Sequence, residues 1–116
     1  MKNSLLLINL DNLNSIAGGD DEFKKELIGI FLEQIPVFLK NLSELYIQNN
    51  LEKLGREAHT AKSSALIFGM ENTGNLLKDI ELWANSKNTS DIAPALNQVE
   101  IDLNLARIEL ENLLTA

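Results

Sequence analysis

The sequence predicts an all-α protein, an antiparallel four-helix bundle with a short extra helix at its N-terminal end. Aliphatic residues recur at spacings of three and four nearly throughout, and alternating β-branched runs are missing. Turn residues cut this pattern into four substantial segments with short connections, which suits antiparallel neighbours. The length, 116 residues, is that of one compact domain, taken to span 1–116.

A short helix is expected from about 10 to 16. Gly18 and Gly19 then make a turn, and Asp20 or Asp21 caps a helix whose first turn is acidic. That helix carries Phe23, Leu27, Ile30, Phe31, Ile35, Phe38, Leu42 and Leu45 as its apolar stripe. Pro36 removes one backbone donor inside it, which predicts a kink near 34–36 rather than two helices. After the break at "QNN" a third helix runs from about 51 to 68 and stops at Gly69, which suits a left-handed closing position. The next, about 71 to 85, brings Leu76, Leu77, Ile80, Trp83 and Ala84 together. "NSKNTSD" reads as a loop, and Ser90 or Asp91 caps the last helix, with Pro94 tolerated in its first turn. There Ile92, Leu96, Val99, Leu103, Ala106, Leu110 and Leu113 form an unbroken seam.

Composition narrows the function. With no cysteine, disulfides, thiol nucleophiles and thiolate metal sites are excluded, and a cytoplasmic protein is the expectation. A net charge of −7 argues against nucleic acid and for a protein partner. The start "MKNSLLLINLDN" is too short in its apolar run for a signal peptide, and nothing approaches the roughly 20 apolar residues of a membrane span, so no membrane insertion is expected.

The chain has one histidine, His59, within "AHTAKSSALIFG". At about 100° per residue, Leu51, Leu54, Ala58, Ala61, Ala65 and Phe68 define the core arc of the third helix, and His59 falls outside it. Its outward face is shared with Gly55, Arg56, Lys62, Ser63 and Leu66. Gly55 and Ser63 leave low ground on either side of the ring, where a partner protein can approach, although Gly55 also suits a close helix crossing. Leu66 is either a lone surface leucine or part of a docking patch. Lys62, one turn on, is placed to meet an anion attached to the imidazole.

A neutral imidazole is a nitrogen nucleophile that can carry a phosphoryl group, whose transfer depends on alignment and charge, normally with Mg²⁺. No P-loop, kinase-type glycine loop or nucleophile elbow is present, and one histidine cannot build a two-histidine metal site. Arg56 stands where a bundle metal site would need the glutamate of Glu-x-x-His, so no metal ligands are assigned.

These residues resemble the histidine phosphotransfer (HPt) domains of multistep phosphorelays. The family pattern of His, any residue, aliphatic, Lys, Gly, any residue, Ser or Ala, with Gly ten residues after the His, is similar to "HTAKSSALIFG". "GGDDEFKKELIGIFLEQIPVFLKNL" looks like the preceding family helix and "LLKDIE" like the following one. The resemblance implies a non-enzymatic carrier with His59 as phosphorylated residue, Lys62 steadying the phosphoryl group and Gly69 terminating the helix. Glu81 matches a position from which the family places a polar side chain near the histidine; on its own helical wheel it is equally a solvated glutamate. Gly55, Arg56, Ser63 and Leu66 would form the docking rim. Departures are Ser63 in place of Gly, Ala61 in place of a larger aliphatic residue, and Leu66 where Gly is frequent. The implied partners are response-regulator receiver domains, which bring the Mg²⁺, and a sensor or hybrid histidine kinase; the chain itself would need no cofactor and act as a monomer. The alternative is a phosphorylation-inactive helical interaction module.

Overall fold

The boundaries of the helices follow from capping chemistry, as a computed structural model covering residues 7–115 shows. The reading of the first residues as no leader falls partly on 1–6 and lies outside the described residues. Helix α1 (Asp11–Ala17) closes at Gly18, with φ 60°. Asp20 then starts α2 (Asp21–Ile47), its carboxylate accepting the Phe23 N–H at 3.0 Å. α2 continues as one helix through Pro36. Asn49 takes a left-handed conformation, φ 56°, and the Asn50 side chain caps α3 (Leu51–Ile67) through the Lys53 N–H at 3.3 Å.

Gly69 ends α3 with φ 71°. The Met70 N–H reaches the Ala65 carbonyl and the Gly69 N–H the Leu66 carbonyl, both at 3.0 Å, which is the paired closure of a Schellman motif. A Cβ at residue 69 would run into the Asn9 carbonyl, so glycine is needed for space as well as for φ. The segment before α1 seals this end: the Asn9 N–H donates to the Phe68 carbonyl at 3.0 Å. α4 (Glu71–Ser86) stops at Lys87, φ 60°, and α5 (Ile92–Thr115) follows. Of the two expected caps, Asp91 supplies the first carbonyl of α5, to Ala95 N–H at 3.3 Å, while the Ser90 hydroxyl turns to Asn88.

α2 packs against α3 and α5, and α4 packs against the same two, so α2 to α5 close a four-helix ring with α1 attached to α2. The core runs down its axis through Ile28, Phe31, Ile35, Leu42, Leu54, Leu77, Ile80, Val99, Leu103 and Leu110. Phe31 and Phe68 stack at 4.5 Å between ring centroids and fix the end of α3 on α2. The seams expected for α3, α4 and α5 face this core. The α2 stripe needs correction, because Phe23 and Ile30 are turned to solvent and Ile28 is buried instead. α2 holds more apolar residues than one face can bury, and the core takes Ile28, Phe31, Ile35, Phe38 and Leu42, a strict alternation of three and four.

Candidate functional site around His59

The outward face of α3 meets α4 at close range because the contact is made of small residues. Gly55 is buried at this crossing, with Ala58 and Ala84 beside it. A Cβ on residue 55 would lie 2.8 Å from Asn85 Oδ1 and 3.7 Å from the Ala84 Cβ. Of the two readings of Gly55, the close helix crossing is the one the packing displays: its missing side chain lets α4 approach and seats Asn85. It still borders a depression on the surface, lined also by Arg56, His59, Thr60, Glu81 and Asn85.

That close approach brings Glu81 of α4 to the imidazole. His59 Nδ1 lies 3.1 Å from Glu81 Oε2 and 3.2 Å from Oε1, while the His59 side chain is 57% exposed. An ionised carboxylate only accepts hydrogen bonds, so Nδ1 carries the ring proton and donates it. In the neutral ring, Nε2 then holds the free lone pair. Glu81 is mostly covered, and the Lys62 ammonium approaches its Oε1 at 3.6 Å. One carboxylate thus accepts a ring N–H and forms an ion pair with an ammonium from the same helix face.

The remaining residues of the expected set divide. Ser63 is exposed and its hydroxyl donates to the His59 carbonyl at 3.2 Å, within α3. Leu66 is 41% exposed and rests on α4, where a Cβ at Gly74 would come 2.6 Å from its Cδ2. Arg56 is exposed, without an ion pair or side-chain hydrogen bond among the described residues. Gly69 stands at the end of α3, away from the ring, as the helix terminator described above. Asn85 and Gly74 escaped the reading of the sequence, since both matter through a contact with another helix that no local spacing encodes. Among the described residues no three or more His, Asp or Glu gather into a set that could hold a metal ion, and no helix is long and apolar enough to cross a membrane.

A family model, the Hpt domain, matches residues 26–116. The chain belongs to the Hpt domain family. Its fold is similar to the crystal structure of histidine-containing phosphotransfer protein B (HptB) from Pseudomonas aeruginosa PAO1, with a TM-score of 0.86, 17% identity, and coverage of 94% of this chain and 95% of that one. Comparison with curated proteins returned no match. An Hpt domain is a phosphotransfer carrier rather than a kinase, and works in phosphorelays with receiver domains and histidine kinases.

Proposed function

We propose that His59 accepts a phosphoryl group from the phosphorylated aspartate of one receiver domain and passes it to the aspartate of another. The observation that carries this reading is the Nδ1 contact to Glu81 on a ring that is otherwise open to a partner. In the accepting step the Nε2 lone pair forms the N–P bond while the P–O bond of the acyl phosphate breaks and its electron pair returns to the aspartate carboxylate. Nδ1 keeps its proton throughout. The ring becomes a phosphorylated imidazolium whose positive charge Glu81 balances, and in the donating step it leaves as neutral imidazole instead of an anion. Such a site suits traffic in both directions.

Lys62, paired with Glu81 and one turn beyond His59 on α3, steadies the phosphoryl group. Ser63 and Leu66 form the rim on which the receiver docks, and the receiver brings the Mg²⁺. The upstream source is a sensor or hybrid kinase, with this chain acting as a cytoplasmic monomer. Incubation with phosphorylated receiver domains and Mg²⁺ tests the reading: the wild type acquires acid-labile, base-stable phosphate and His59→Gln does not. Equal labelling of the two, or none in either with any receiver, favours the interaction module without phosphotransfer.

A further inference from the structure

Two cations flank His59 on α3, Arg56 one turn before it and Lys62 one turn after, and the structure treats them differently. Lys62 is largely covered, with its side chain 21% exposed, and is tied to Glu81. Much of its charge is answered by that carboxylate before any phosphate arrives. Arg56 has no such partner among the described residues, and it is the one Lys or Arg lining the depression that His59 also lines. Across from it, on α4, Asn85 is likewise without a side-chain hydrogen bond among the described residues, and its Oδ1 is the branch nearest Gly55. A guanidinium presents up to five donors in a planar fork, a geometry that matches phosphate oxygens, and a primary amide adds two more.

We propose that Arg56 is a phosphoryl-binding residue of this carrier: its guanidinium meets the phosphoryl oxygens on His59 Nε2 in the depression between α3 and α4, with the Asn85 amide as a neighbouring donor. Lys62, one turn beyond His59 on α3 and paired with Glu81, is not part of the lining of that depression, so the two cations stand one turn before and one turn after the modified ring. Thr60, although it lines the same depression, already donates its hydroxyl to the Arg56 carbonyl at 3.1 Å and has no proton left to give. The inference rests on His59 being the phosphoryl acceptor.

The test uses the whole chain and a small phosphodonor, so that docking of a receiver does not enter. With phosphoramidate the N–P bond of the donor breaks, ammonia leaves, and the new N–P bond forms at His59 Nε2. Intact-mass spectrometry follows the rate of labelling and, once the donor is removed, the lifetime of the phosphorylated chain. Arg56→Gln is expected to lower the labelling rate or the lifetime by about tenfold, the scale of one charge-assisted hydrogen bond. Arg56→Lys should recover part of that loss, because a lysine restores the charge without the fork. Arg107→Gln, on α5, controls for the change in net charge and should behave as the wild type. Arg56→Gln and Arg107→Gln indistinguishable from each other would overturn the proposal, as would a loss in Arg56→Gln accompanied by a matching loss of helicity. A wild type that labels no better than His59→Gln would instead bring down the reading of His59 itself.

Discussion

Two carboxylates of this bundle, Glu81 on α4 and Asp102 on α5, each gather two partners, yet they belong to different physical situations. Asp102 is 7% exposed and accepts the Thr73 hydroxyl and the Gln98 amide, both at 2.9 Å. Its partners are neutral, and Thr73 is itself buried, so the group ties α4 to α5 with each of its oxygens engaged by a neutral donor. Glu81 lies at the rim, pairs with the Lys62 ammonium at 3.6 Å and accepts the N–H of a ring whose other nitrogen has no partner among the described residues. The difference is one of address and of partner. A buried carboxylate between neutral donors fixes packing, and a rim carboxylate against an imidazole sets which nitrogen reacts.

Substitution at each site separates these roles. The largest effect on stability is expected for Asp102→Ala, which strands the buried Thr73 hydroxyl and costs about 2 kcal/mol in urea unfolding, with phosphate acceptance by the folded fraction unchanged. Glu81→Gln should do the reverse. Loss of a rim ion pair changes stability by less than about 1 kcal/mol, whereas phosphate acceptance should fall about tenfold because the neutral amide no longer balances the imidazolium. If the two variants lose stability and activity in parallel, the contrast between the two carboxylates is wrong. The smallest effect is expected for Gly55→Ala. Alanine recovers up to about 1 kcal/mol of helix propensity, and the atom its Cβ meets is the end of a side chain that can swing, so stability should stay near that of the wild type. The displaced Asn85 should still shorten the lifetime of the phosphorylated chain by a few-fold; an unchanged lifetime would remove Asn85 from the site.

Much of this was legible in the sequence. The helices α3, α4 and α5 announce their core faces through spacing alone, and the outward angle of His59 follows from the same arithmetic. Gly69 reads as a terminator because only its position after a periodic run requires it. Less visible was which of the many apolar residues of α2 face inward, since Phe23 and Ile30 fit the pattern nearly as well as Ile28 does. For Gly55 the spacing leaves an opening for a partner and a close helix crossing equally open, and it gives no sign of the Thr73 and Asp102 pair. In each case the deciding contact crosses from one helix to another, and period along one chain segment carries no information about it. The meeting of Glu81 with His59 is intermediate: on the helical wheel it is equally a solvated glutamate, and the resemblance to the Hpt family supplies the direction.

The most direct test of the central claim is the site of phosphate attachment on a chain with ¹⁵N-labelled histidine, phosphorylated and examined by NMR. Phosphorus coupling to Nε2 of His59 is expected, with Nδ1 still protonated and sensitive to Glu81→Gln. Phosphate on Nδ1, or on any other residue, would contradict it.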